Sequence, residues 1–170
     1  PADQSVARSG ETLRQREWRD ELLATGIRGK GGQRIAFARV EPLSGTRRLH
    51  AEAETKGDPP LRVAVCFGPE HAPMEARQVA QAIEDAQSLV PRPQLVVFAA
   101  FQFDPEAAKD IDEINGPGVQ LLKAQMSPDL LTDDLRKKRA SNDSFWLMGQ
   151  PDAELRRIRS GEHKGKWQVE

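Results

Sequence analysis

The sequence has little cysteine, few aromatic residues and no long apolar run. Cys66 is the single cysteine of the 170 residues, so an internal disulfide is excluded and a reducing compartment is indicated. No apolar stretch approaches the roughly 20 residues that a membrane-spanning helix needs, and no signal-peptide pattern opens the chain. We therefore predict a cytoplasmic protein without a membrane partner. Tyrosine is absent and 30% of the residues are charged, which is typical of a well-solvated surface.

The net charge of −1 hides a segregation of charge along the chain. Residues 1–50 hold ten Lys/Arg and six Asp/Glu, residues 51–155 hold ten and eighteen, and residues 156–170 hold five and two. The two ends are therefore basic and the middle is acidic. This pattern excludes a uniformly basic nucleic-acid binder, but it leaves room for one basic edge.

Hydrophobic periodicity predicts an α/β fold. A helix is expected over 11–26, then a hairpin, then strands over 61–67, 94–101, 118–126 and 144–149 that alternate with helices over 72–90, 104–114 and 127–139. Because a strand, a helix and a second strand imply a right-handed crossover, we expect a mainly parallel sheet.

The expected organisation has three parts. They are a lead-in and helix over 1–26, an α/β domain over 27–155 and a basic tail over 156–170. The strand pattern of the tail stops at Val169, so we expect the tail to continue into a longer protein.

Two turns of the sequence share one pattern, "FDPEAAKD" at 103–110 and "MSPDLLTD" at 126–133. Asp104 and Ser127 are suited to cap a helix N-terminus, and a proline follows each of them at the first helical position. An alternative role for Asp104 is catalysis, since the carboxyl ends of parallel strands often bind ligands. Capping is the interpretation that the repeated pattern favours.

Other side chains that can carry chemistry have ordinary explanations. Cys66 and four aromatic residues fall within strand patterns, so we expect them in the core: Phe98, Phe101, Phe145 and Trp146. The histidines are scattered and lack the paired spacing of zinc ligands: His50, His71 and His163.

The stretch "GIRGKGGQR" over 26–34 is a basic glycine-rich loop. Glycines allow the backbone to approach a phosphate closely, and cations neutralise it. We therefore predict DNA-backbone contacts by Arg28, Lys30 and Arg34, joined by Arg39 of the next strand. The alternative is a flexible surface loop with incidental charge.

Three strings, "FGPEHAP", "VVFAAFQFDPEAAKDID" and "LLTDDLRKKR…SFWLMGQPD", give the chain a family resemblance. From about Trp18 to its last residue it resembles the carboxyl-terminal region of site-specific adenine DNA methyltransferases, the modification subunits of type III-like restriction–modification systems. The resemblance implies an accessory domain for DNA contact, target positioning or docking of a restriction or second methyltransferase subunit. It also implies S-adenosylmethionine as the cofactor of the full-length enzyme.

The catalytic motifs of such enzymes are missing from this stretch. No F-x-G-x-G turn for S-adenosylmethionine occurs, and "DPPL" at 58–61 puts Leu61 where an aromatic ring would stack on a flipped base. We therefore expect no catalytic residue and no cofactor in this chain. A stand-alone interaction module is an alternative.

A weaker resemblance concerns restriction-endonuclease-like folds, which share the order strand, strand, helix, strand, helix, strand. Those domains hold Mg²⁺ through an acid on one strand and an acid-x-Lys on the next. Here Glu52, Glu54 and Lys56 lie on the first strand, but "RVAVCFG" on the next has neither an acid nor a lysine. A vestigial metal site is expected, and a degenerate or metal-dependent nuclease domain is the second alternative.

Overall fold

A computed structural model of the chain describes residues 12–29, 33–43, 46, 48–57, 59–113, 119–131 and 144–148. In these segments the helices are α1 (Leu13–Thr25), α2 (Ala76–Ser88) and α3 (Pro105–Glu113). The strands are β1 (Ile27–Arg28), β2 (Arg34–Ile35), β3 (Phe37–Pro42), β4 (Ala51–Thr55), β5 (Arg62–Phe67), β6 (Leu95–Ala100), β7 (Gln120–Met126) and β8 (Phe145–Leu147), with a 3-10 turn over Pro128–Leu131. No helix within the described segments is long and apolar enough to cross a membrane.

The strands form one sheet in the order β2-β1-β8-β7-β6-β5-β4-β3. Strands β2 and β3 lie at opposite ends of this order, yet only Ala36 separates them in the chain. The two edges of the sheet must therefore come together at Ala36, and the sheet curls into a nearly closed barrel. The N–H of Lys56 donates to the carbonyl oxygen of Ala36 at 2.9 Å, which fixes this junction to the end of β4.

The prediction of a mainly parallel sheet is wrong. In the described part of the sheet, β5–β6, β6–β7 and β1–β8 are parallel, whereas β1–β2, β3–β4, β4–β5 and β7–β8 are antiparallel. The two crossovers through α2 and α3 are present as expected. The restriction-endonuclease-like fold, which was predicted together with the mainly parallel sheet, is also wrong, because the sheet is mixed and nearly closed.

The error arose where the chain leaves β7. A helix over 127–139 was expected to carry the chain across to a parallel strand. The described start of this segment, Pro128–Leu131, is a 3-10 turn, and the N–H of Ser127 donates to the carbonyl oxygen of Ser144 at 2.9 Å. This bond returns β8 antiparallel to β7, and it leaves the other edge of β8 to pair with β1. Residues 132–143, including the predicted end of that helix, lie outside the described residues.

Each face of the sheet carries its own core. On the inner face, Trp18 and Leu22 of α1 pack with residues from every strand, including Val65, Val97 and Phe145. On the outer face, α2 and α3 cover the alternate residues of β5, β6 and β7, such as Cys66 and Phe98. Because β5 and β6 are buried on both faces, they read in the sequence as continuous apolar runs.

Trp18 anchors α1 to the inner face. Its ring meets those of Phe67 and Phe101 edge-on, at centroid distances of 5.5 and 5.4 Å. Its indole N–H donates to the carbonyl oxygen of Leu130 at 3.3 Å. The helix starts at a capping box formed by Thr12 and Gln15, as the S/T-x-x-E/Q pattern dictates.

The two repeated turns are helix caps, as the sequence predicts. A carboxylate oxygen of Asp104 accepts from the N–H of Glu106 at 3.1 Å, and the hydroxyl of Ser127 accepts from the N–H of Asp129 at 3.2 Å. Each cap satisfies a backbone donor that the first helical turn leaves without an intrahelical partner.

The last three residues of the "DPPL" stretch lie in the connection between β4 and β5. The N–H of Leu61 donates to the hydroxyl of Thr55 at 2.9 Å, and its carbonyl oxygen accepts from the N–H of Thr55 at 3.0 Å. The side chain of Leu61 packs against the inner core. The stretch therefore serves as a turn, as its two prolines indicate.

Candidate functional site

The basic stretch predicted from sequence is flanked by a short pair of strands. Strands β1 and β2 pair antiparallel, with Arg28 directly opposite Arg34, and the N–H of Gly29 donates to the carbonyl oxygen of Gln33 at 2.7 Å. Side chains at directly opposite positions lie on the same face of a ribbon. The hairpin therefore brings two of the predicted DNA contacts together. Lys30 lies outside the described residues.

The C-terminus of α1 helps to hold this hairpin. Arg34 donates from Nη1 to the carbonyl oxygen of Thr25, the last residue of the helix. The carbonyl end of a helix carries partial negative charge, so it favours a guanidinium. Gly26 then turns the chain into β1 at φ 70°, a conformation that glycine adopts without a Cβ penalty.

Arg39, the fourth predicted DNA contact, lies in a cluster of carboxylates. On β3 and β4 its guanidinium is 3.1 Å from Glu41, 3.6 Å from Glu52 and 3.5 Å from Glu54. Arg39 pairs across the ladder with Glu54, and Glu41 pairs with Glu52.

The same cluster contains the two carboxylates that were expected at a vestigial metal site. A guanidinium occupies the space among them, and Lys56 is exposed beyond the end of β4. In the segments that the structure describes, no group of three His, Cys, Asp or Glu side chains is arranged to hold a metal ion. The observed arrangement is a partly exposed ion-pair network, which contributes little to stability.

A second polar cluster, which sequence reasoning missed, joins the segment before β4 to α2. Its members are Arg48, His50, Cys66, Gln78, Gln81 and Asp85. The N–H of Arg48 donates to Asp85 at 2.7 Å, and its Nε donates to Gln81 at 2.7 Å. The Nδ1 atom of His50 accepts from the N–H of Phe67 at 2.9 Å, and the two rings stack at 6.0 Å.

Burial keeps two groups of this cluster neutral, the imidazole of His50 and the thiol of Cys66. Desolvation, assisted by the charge of Arg48, lowers the pKa of His50 to about 4 despite the opposing effect of Asp85. Burial raises the pKa of Cys66 to about 12, although Gln78 donates to its sulfur. A neutral imidazole that accepts a backbone bond and a buried neutral thiol do not form a nucleophile–base pair. The cluster is a structural connection, and Cys66 is buried as predicted.

Strand β8 is fixed to α1 by a buried contact. The hydroxyl of Ser144 donates to the Glu21 carboxylate at 2.8 Å. The contact places β8 beside β1, so that Trp146 pairs with Arg28 on one side and with Gln125 of β7 on the other. Trp146 was expected in the core together with Phe145. The structure corrects this, because Phe145 is buried on the inner face and Trp146 is partly exposed on the outer face.

No family model, no curated protein and no solved structure matches this chain.

One row of side chains crosses four adjacent strands of the sheet in register. We call it the outer row: Arg34, Arg28, Trp146 and Gln125, one from each of four adjacent strands. The sequence could have indicated the position of Trp146 in this row. Successive side chains of a strand alternate between faces, so Trp146 points away from the face that carries Phe145 and Leu147. For His50 no such signal existed, because it bonds to Phe67 of β5 and is influenced by the charge of Asp85 of α2, both far from it in sequence.

Proposed function

We propose that this chain is a non-catalytic accessory domain of a cytoplasmic, site-specific adenine DNA methyltransferase, and that its β1–β2 hairpin contacts the DNA backbone. The sequence resemblance supplies the parent enzyme. The observation that carries the DNA contact is the pairing of Arg28 directly opposite Arg34.

The hairpin places two arginines at directly opposite positions of an antiparallel pair, with the glycine-rich stretch "GKGG" between them. Arginine suits phosphate because its planar fork donates two parallel hydrogen bonds. The acidic middle of the chain confines such binding to this edge. The domain then positions DNA, or docks a second subunit on DNA, while the parent enzyme supplies S-adenosylmethionine and the methyl transfer.

The experiment compares two charge-matched double variants. Arg28→Ala with Arg34→Ala removes the hairpin charges, and Arg77→Ala with Arg92→Ala removes two exposed charges elsewhere. Fluorescence anisotropy with a labelled duplex, at several salt concentrations, measures affinity and its salt dependence. We expect the hairpin variant alone to bind more weakly, with a log–log salt slope smaller by about 0.9 for each lost contact. The effect should be nearly uniform across DNA sequences, because phosphate contacts carry no base information.

If both double variants lose the same affinity for the duplex, the hairpin contributes only through the overall charge of the protein and makes no specific contact. If neither variant loses affinity, the proposal is refuted. Lys30→Ala and Arg39→Ala test the two remaining predicted contacts separately. Calorimetric titration with S-adenosylmethionine tests the non-catalytic assignment. We expect the titration to show no heat of specific binding. Micromolar affinity would overturn it.

A further inference from the structure

The outer row continues the hairpin arginines across the sheet. Arg34 pairs with Arg28, Arg28 with Trp146, and Trp146 with Gln125. Adjacent strands lie about 4.8 Å apart, so the Cα atoms of this row span roughly 15 Å. Two arginines and one tryptophan therefore occupy adjacent positions of a single row.

The members of the row share the outer face. Their strand neighbours all belong to the inner core: Ile27, Ile35, Ala124, Met126, Phe145 and Leu147. Because successive side chains of a strand alternate between faces, the row points to the opposite side. Arg34 is exposed, and Arg28, Trp146 and Gln125 are partly exposed.

This part of the outer face differs from the part that the helices cover. Helices α2 and α3 bury the outer side chains of β5, β6 and the first half of β7, including Cys66, Phe98 and Leu121. Among the residues that the structure describes, neither helix belongs to a core with the outer row. The outer row therefore offers a partly exposed tryptophan next to two arginines, of which one is exposed and one is partly exposed.

We propose that the outer row binds an unpaired stretch of DNA, with a base stacked on Trp146 and the flanking phosphates held by Arg28 and Arg34. This rests on the proposed DNA contact and names its substrate class. Single-stranded nucleic acid combines the two chemistries that the row offers, since every base has a π-face and every nucleotide carries a phosphate. In a duplex the base faces are covered by their neighbours, so the indole has nothing to stack on.

The row discriminates little between bases. Both amide hydrogens of Gln125 are engaged, because its Nε2 donates to the carbonyl oxygens of Phe101 at 2.8 Å and Met126 at 3.0 Å. The amide thereby lacks free donors for a base edge, and only its oxygen is left to accept a hydrogen bond from a base. Stacking on an indole is tolerant of base identity. We therefore expect binding to single strands of mixed sequence.

The test uses the full 170-residue chain and anisotropy with a labelled single strand of roughly 15 nucleotides and the matching duplex. Trp146→Leu removes the ring, Trp146→Phe keeps a smaller one, and the two double arginine variants above are run in parallel. Urea unfolding confirms that each variant is folded. We expect Trp146→Leu to weaken single-strand binding about tenfold or more, with duplex binding unchanged and Trp146→Phe close to wild type.

The outcomes separate this inference from the proposed function. If Trp146→Leu leaves single-strand binding unchanged, or weakens both ligands equally, the stacking role is refuted while the hairpin contact stands on its own arginine variants. If the hairpin variant binds the duplex as wild type does, the proposed function fails. If Trp146→Leu is unfolded, Trp146→Phe provides the test through its ratio of single-strand affinity to duplex affinity. A ratio equal to that of wild type supports stacking on the ring. A large fall in the ratio overturns it.

Discussion

Acidification from pH 7 to pH 4 should destabilise this protein through His50. The imidazole accepts a hydrogen bond from the N–H of Phe67 at Nδ1, and it stacks on the ring of the same residue. Desolvation lowers its pKa from 6.5 to about 4. Protonation in the folded state is therefore disfavoured, since the cation would be only partly hydrated and would lie close to Arg48.

The sign and the size of this change in the free energy of unfolding follow from the linkage between protonation and folding. Between pH 6.5 and about 4 the unfolded chain binds a proton at His50 that the folded chain does not, so stability rises with pH across this window. The contribution is fully present above pH 6.5 and is lost as the pH falls toward 4. Each pKa unit corresponds to about 1.4 kcal/mol, so a shift from 6.5 to about 4 contributes at most about 3.5 kcal/mol.

The assay is urea unfolding at several pH values from 7.5 to 4, with His50→Asn as the comparison. The asparagine oxygen can still accept from the Phe67 N–H, but the side chain does not titrate. We expect His50→Asn to be less stable at pH 7 through the lost ring, and the difference between the two proteins to shrink or reverse near pH 4. His71→Asn serves as the control, because the His71 side chain is 82% exposed. Equal pH profiles for wild type and His50→Asn would refute the reasoning, as would an NMR titration midpoint of His50 near 6.5.

Further substitutions test the fold and the carboxylate cluster. Trp18→Ala should cost about 3–5 kcal/mol in urea unfolding, because it empties the space between α1 and the inner face, and Trp18→Phe should cost less. Gly26→Ala should cost roughly 1–3 kcal/mol or more in the same assay, since the new Cβ would sit at positive φ and against the carbonyl oxygen of Ile35. Arg39→Ala should change stability by at most about 1 kcal/mol, because its ion pairs are partly exposed. Plasmid incubated with Mg²⁺ or Mn²⁺ should stay intact with the wild-type chain and with the Arg39→Ala variant, and cleavage that Glu54→Ala abolishes would contradict this.

Local chemistry in the sequence determined much of the fold. The periodicity of residues 61–126 predicts β5, α2, β6, α3 and β7 in the right order, and both crossovers are parallel as expected. The caps at Asp104 and Ser127 follow from the repeated Pro-acid pattern. These features depend on neighbours within a few residues, so the sequence is sufficient to predict them.

Tertiary structure alone decided how the sheet closes and which side chains meet at its surface. An alternating pattern identifies a strand, but it does not indicate which strand lies beside it or whether the two are parallel or antiparallel. For β8 the decision came from pairing with β1, near the other end of the chain, and from the bond between Ser144 and Glu21. The same pairing brings Trp146 beside the hairpin, and the pairing of β3 with β4 places Arg39 among carboxylates. Contacts between residues far apart in sequence depend on which packed arrangement has the lowest free energy, and no local pattern records that.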